Sequence, residues 1–127
     1  MGERYLLDTN AVLDFINQTL PSSGSSFIGE ILDSDPIISV VSKIELLGFT
    51  DVSTEVKTFV DFANVIPLVD KVVIATIDLR KKYKIKLPDA IIAATAIGYN
   101  LTLVTRNIAD FQRIESIKII NPHTFAG

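Results

Sequence analysis

With no cysteine and a single histidine, His123, in 127 residues, the chain has no disulfide, no Cys/His zinc site, no thiol nucleophile and no histidine pair, and carboxylates are its main chemical resource. The length suits one domain, residues 1–127, able to bury about two thirds of its unfolded surface in a core. A net charge of −3, from 12 Lys and Arg against 15 Asp and Glu, argues at first sight against a nucleic-acid partner, yet with four of those acids in one metal site the remainder is close to neutral.

Taken in order, Met1-Gly2-Glu3-Arg4-Tyr5 precedes no apolar stretch of signal-peptide length, so a cytoplasmic protein is expected. Residues 4–8 read as a short buried strand ending in Asp8-Thr9-Asn10, with Asn10 capping a helix whose apolar face is Ala11, Val12, Phe15 and Ile16. Residues 20–26, rich in serine with a proline and a glycine, read as a loop before a modest helix over 27–32. The β-branched run 37–41 is a second strand. Ser42-x-x-Glu45 after it is a capping box in form, and Gly48 a helix stop.

A helix over 52–63 aligns Val52, Val56, Phe59, Val60 and Ala63; a strand over 65–68 and a helix over 71–83, with Val72, Ala75, Leu79 and Tyr83 on one stripe, follow. Pro88 fits the first position of the next helix and sets Asp89 in its opening turn, where unpaired N–H groups favour a negative charge. The body of that helix, 90–97, carries no charge on any face, which predicts burial on most sides. The uncharged run 90–105 falls short of the ~20 apolar residues of a membrane span, so no membrane association is expected. A strand over 101–104, a short helix over 109–113 and a strand over 117–120 complete the pattern. Continuously apolar strands alternating with helices predict an α/β fold with a mainly parallel sheet covered on both faces, and ligands in such folds bind outside the carboxyl ends of the strands.

Four acids fall at such ends. Asp8 and Asp110 follow strands, Glu45 lies in the first helical turn after one, and Asp89 opens the buried helix. Singly, each has a structural explanation: a turn residue, a capping box, a dipole partner, or the reciprocal of an Asn107 cap. Jointly they form a cluster that would repel itself without a divalent cation, and a carboxylate set lacking His and Cys points to Mg²⁺ or Mn²⁺. Thr9, Asn10, Ser42, Thr105 and Asn107 flank the acids and are candidates to orient them or to cap helices. Arg80, Lys81, Lys82, Lys84 and Lys86 crowd into one short stretch before Asp89, where they either hold a phosphate backbone or form a solvated helix end.

Leu6-Leu7-Asp8-Thr9-Asn10, Ser42-x-x-Glu45-Leu46, Leu87-Pro88-Asp89-Ala90-x-x-Ala93-Ala94-x-Ala96 and Thr105-Arg106-Asn107-x-x-Asp110-Phe111 together resemble the PIN-domain ribonucleases, specifically the VapC-type toxins of prokaryotic toxin–antitoxin pairs. The resemblance runs from Leu6 to about Pro122. It implies a single three-layer α/β/α domain, a metal site of Asp8, Glu45, Asp89 and Asp110, and Mg²⁺- or Mn²⁺-dependent RNA cleavage leaving a 5′-phosphate and a 3′-hydroxyl. It also implies a homodimer and silencing by a cognate antitoxin whose basic side chain enters the acidic pocket. Two rival readings are a receiver-like phosphorylatable domain, also α/β and dependent on Mg²⁺ and aspartate, and a catalytically silent PIN module that only binds a partner.

Overall fold

The computed structural model describes residues 2–126. Five short strands, β1 (Tyr5–Leu7), β2 (Ile37–Ser39), β3 (Asn64–Ile66), β4 (Thr102–Val104) and β5 (Ile119–Ile120), form one sheet in the order β3-β2-β1-β4-β5. All four pairings are parallel. Seven helices connect them: α1 (Thr9–Ile16), α2 (Ser22–Ser34), α3 (Val40–Leu47), α4 (Thr54–Phe62), α5 (Asp70–Lys82), α6 (Leu87–Gly98) and α7 (Ile108–Phe111).

Alternation along each strand divides the core in two. Leu6, Ile37 and Leu103 point to the face covered by α5, α6 and α7, where they meet Val72, Leu79, Ile92 and Phe111. Leu7, Ile38 and Val104 point to the opposite face and meet Val12, Ile28, Ile31 and Phe59 from α1, α2 and α4. The result is a three-layer α/β/α sandwich. Helix α6 buries Ala90, Ile92, Ala93, Ala94, Thr95 and Ala96, as its uncharged sequence predicts, and its alanines let it lie close to the sheet. The helix ends in a left-handed residue, Asn100 with φ 54°, an amide side chain being among the few that tolerate that conformation; Leu101 N then donates to Ala96 O at 2.8 Å and the chain enters β4.

β1 is central. From it the chain moves one way to β2 and β3, then crosses back to place β4 on its other side. Connections leaving β1 and β4 therefore diverge, and a crevice opens outside their carboxyl ends. The register Leu7↔Val104 brings the following residues, Asp8 and Thr105, level with each other. This order also overturns the receiver-like reading, whose strands run 2-1-3-4-5.

Several local expectations are corrected. Asp8, not Asn10, caps α1, accepting from Thr9 N at 2.8 Å, because the strand stops one residue before it and the helix starts at once. Ser39, not Ser42, caps α3 by accepting from Val41 N at 3.0 Å, so Ser42-x-x-Glu45 lies inside the helix and is no capping box. The serine-rich loop over 20–26 is mostly the first turns of α2, which begins at Ser22 after Pro21. There, tertiary contact outweighs weak helix propensity: Ser23 Oγ donates to Phe125 O at 2.8 Å, and Phe27 stacks on Phe125 with ring centroids 4.3 Å apart. No helix among the described residues is long and apolar enough to cross a membrane.

Candidate active site

A pocket of about 500 Å³ lies in the crevice, and Asp8, Glu45 and Asp89 all line it. Asp8 comes from the end of β1, Glu45 from α3, and Asp89 from the first turn of α6. Asp110, on α7, is not part of the lining, but its charge acts on Asp89 from nearby. Asn107 Nδ2 holds Asp110 Oδ2 at 2.6 Å, so the pairing expected between these two exists, although Asn107 makes no side-chain cap.

Asp8 is the most constrained of the four. Its Oδ1 accepts from Thr9 N at 2.8 Å, and its Oδ2 from the Thr105 hydroxyl at 2.8 Å and from Asn10 Nδ2 at 3.2 Å. A carboxylate offers about four acceptor positions, so one remains on the pocket side for another ligand. Burial pushes the Asp8 carboxyl above its ordinary pKa and the charge on Glu45 adds to this, while the bonds from Thr105, Thr9 and Asn10 oppose it. Asp89 is pushed up as well, first by partial burial, then by Asp110, Asp8 and Glu45 in that order; Lys86 works the other way. The mutual repulsion inferred from sequence is therefore physically present at Asp89.

The flanking polar residues build a connected frame. Thr105 is wholly buried; its hydroxyl donates to Asp8 and accepts from Asn10 Nδ2 and Asn107 N, both at 3.0 Å. Thr9 donates to Glu45 Oε1 at 2.5 Å and lies 3.0 Å from the hydroxyl of Ser42, itself wholly buried beneath it. Asn10 Oδ1 accepts from Arg106 N at 3.1 Å. Among the described residues no buried side-chain nitrogen or oxygen lacks a partner.

The donor set suits a hard cation: oxygen ligands only, held by hydroxyls and amides, with Asp8 and Asp89 pushed above their ordinary pKa by burial and by neighbouring carboxylates. In the structure as it stands, no three His, Asp or Glu side chains among the described residues are drawn together into a ligand cage. Glu45 is engaged instead by the Thr9 hydroxyl.

None of the five cations preceding Asp89 lines the pocket, although the charge of Lys86 reaches Asp89. Arg80, Lys81 and Lys82 form the last turn of α5, where positive charge complements the helix dipole; Lys84 lends its carbonyl to Arg113, and Lys86 is the N-cap residue of α6. The base that does line the pocket is Arg106, beside Asp14. Neither had been assigned a role from sequence, and only the position of Arg106 between Thr105 and Asn107 hinted at one.

The sequence matches the PIN domain family model over residues 5–117. The chain belongs to the PIN-domain family. No curated protein sequence matches this PIN domain. Among solved structures, a toxin–antitoxin complex from Klebsiella pneumoniae is similar at 30% identity and TM-score 0.74, covering 95% of this chain and 99% of that one. VapBC2 from Rickettsia felis, bound to a DNA fragment from its promoter, shares 27% identity at TM-score 0.77, over 92% and 97% of the two chains. FitAcB from Neisseria gonorrhoeae has the same fold at TM-score 0.75 and 23% identity, over 95% and 99%.

Proposed function

We propose that this PIN domain, a single domain over residues 1–127, is a metal-dependent endoribonuclease and the toxin of a VapBC-type pair, acting in the cytoplasm as a homodimer. The observation that carries the reading is that Asp8, Glu45 and Asp89, from three separate elements, line one pocket beside Asp110 at the carboxyl ends of β1 and β4. Similarity to toxin–antitoxin complexes supports the biological role.

Asp8, Asp89 and Asp110 would hold Mg²⁺ or Mn²⁺, with Glu45 completing the set directly or through water. Such an ion supplies Lewis-acid activation of water and offsets the charge of a phosphodiester. The chain's own contribution is orientation. Thr105 and Asn10 fix the Asp8 carboxylate from behind, Thr9 fixes Glu45, and Asn107 fixes Asp110. Asp8 and Glu45 thereby present oxygen to the pocket, and Asp110 is held beside it, without losing further rotamer freedom on binding. The run Arg80, Lys81, Lys82, Lys84, Lys86 would meet the RNA backbone outside the pocket.

The antitoxin has a footing in an apolar groove of about 760 Å³ between α1, α2 and α4, lined by Val12, Phe15, Ile28 and Phe59 with Phe62 on its rim. A helix laid there would bury apolar surface.

Antitoxin-free protein incubated with single-stranded RNA should cut it with Mg²⁺ or Mn²⁺ and stop with chelator, and Asp8→Asn should abolish cutting without changing the fold. Cleavage that persists equally in Asp8→Asn and in chelator would overturn the reading.

A further inference from the structure

Adjoining the carboxylate pocket is a second depression, about 520 Å³, lined by Asn10, Arg106, Asn107, Asn121 and His123. Every lining residue is polar and none is acidic. Asn10, Arg106 and Asn107 also line the carboxylate pocket, so the two hollows share a rim.

The framework of this second hollow is Asp14, on α1, whose side chain is only 10% exposed. Arg106 Nη1 donates to both of its oxygens, at 2.7 and 2.9 Å, and His123 Nε2 lies 2.8 Å from Oδ2. The C-terminal segment that carries His123 is itself pinned, through Phe125 on Phe27 and on Ser23 Oγ. The guanidinium is thus held from one edge by a buried carboxylate. A guanidinium has five N–H donors, and among the described residues Nε and Nη2 of Arg106 donate to no protein atom, although the side chain is 55% exposed. Asn121 Oδ1 accepts from His123 N at 2.9 Å, which leaves the Asn121 NH₂ group to donate elsewhere.

Asp14 occupies Arg106 Nη1 and His123 Nε2, but Nε and Nη2 of the guanidinium and the spare Asn121 NH₂ meet no carboxylate, and no acid lines the hollow; these donors make a site for an anion rich in oxygen acceptors. Continuity with the carboxylate pocket says which one. A strand whose scissile phosphodiester lies at Asp8 and Asp89 has a continuous path across this shared rim. We propose that Arg106, held in place by Asp14 and His123, grips the phosphate adjacent to the scissile one, and that Asn121 contacts the nucleotide attached to it. The inference rests on the nuclease reading for the identity of the strand. It assigns Asp14 and His123 as positioning residues acting through Arg106.

Binding of a short, dye-labelled single-stranded RNA, followed by anisotropy in chelator so that nothing is cut, tests this directly. Arg106→Ala should weaken binding about tenfold and reduce the slope of log affinity against log salt by about 0.7, the value for one phosphate contact on a single strand. Arg106→Lys should fall between, because an ammonium held by Asp14 has no second flat edge to offer. Asn121→Ala, which leaves the Asp14 ion pair intact, should weaken binding about threefold. Should Arg106→Ala fail to fold, the last two variants carry the test. Unchanged affinity and salt slope in Arg106→Lys and Asn121→Ala, or no RNA binding by the unaltered protein, overturns the subsite. Cleavage is scored separately. Normal cutting with RNA binding indifferent to Arg106 removes the subsite and leaves the nuclease; Arg106-dependent binding without metal-dependent cutting does the reverse.

Discussion

Thr105 and Asp8 stand side by side at the ends of adjacent parallel strands, and the threonine hydroxyl donates to Asp8 Oδ2 at 2.8 Å across a sequence separation of 97 residues. That hydroxyl also accepts from Asn10 Nδ2 and Asn107 N, so one buried oxygen joins β1, α1 and the turn into α7. Thr105→Val keeps the shape but removes all three bonds, leaving Asn107 N unpaired and Asp8 Oδ2 short of its closest donor. It should cost about 1–3 kcal/mol in chemical denaturation and lower RNA cleavage by more than tenfold. Thr105→Ser should restore most of both. Wild-type activity in Thr105→Val would mean that Asp8 needs no such support.

Asp89 makes an opposite prediction for stability. Its folded pKa is raised by partial burial and by Asp110, Asp8 and Glu45, so the folded state holds a proton there more tightly than the unfolded chain does. The sign follows: this contribution is fully present below the unfolded pKa, about 3.9, and is lost as pH rises through the raised folded value. At neutral pH and without metal, the ionised group opposes folding. Asp89→Asn should therefore melt higher than wild type at pH 7 in chelator, the gap closing in acid, while cleavage disappears. Mg²⁺ should raise the melting point of wild type and not of the variant. A lower melting point for Asp89→Asn at neutral pH would show that its dipole interaction with α6 outweighs the repulsion.

Legibility in the sequence followed the range of the interactions. All five strands were readable because their apolar runs are short and bounded by turn residues, and α6 because eight successive residues without charge have few places to go but the core. The acids could be placed at one sheet edge because parallel strands followed by helices dictate where their carboxyl ends lie. Helix caps were less accessible: Ser39 and Ser42 both suit the role, and only the point at which β2 stops selects Ser39. Least legible was Asp14 with Arg106 and His123, separated in sequence by 92 and 109 residues. No periodicity or spacing marks such a contact. Asp14 reads as an ordinary polar residue in an amphipathic helix until the fold shows it buried.

Gly24 tests the fold where helix propensity and packing disagree. It lies inside α2, where alanine would ordinarily be favoured by about 1 kcal/mol. A Cβ at this position would stand 1.9 Å from the carbonyl oxygen of Pro122, a backbone atom that cannot turn aside. Gly24→Ala should therefore destabilise, by about 1–3 kcal/mol in denaturant, by forcing α2 and the C-terminal segment apart. Since that segment carries His123, RNA affinity should fall in parallel. An increase in stability would show that the segment does not pack on α2 in solution.

Phe62 separates partner binding from catalysis. At 69% exposure it is among the most exposed large apolar side chains of the described residues, and it sits on the rim of the groove between α1, α2 and α4. Its removal creates no cavity, so Phe62→Ser should change folding stability by no more than about 0.5 kcal/mol. Nor does the site depend on it, as Phe62 touches none of the carboxylates, and RNA cleavage by the free protein should be unchanged. An aromatic anchor at the edge of an apolar groove is nonetheless the kind of residue on which a docked helix depends, with losses on truncation of about 2 kcal/mol at binding hot spots. Titration calorimetry against a cognate VapB-type antitoxin should show a fall of at least about tenfold in affinity, and the variant should escape silencing at antitoxin concentrations that stop the wild type. Equal affinity would move the antitoxin's footing off this groove, and the carboxylate pocket would then have to supply the recognition itself.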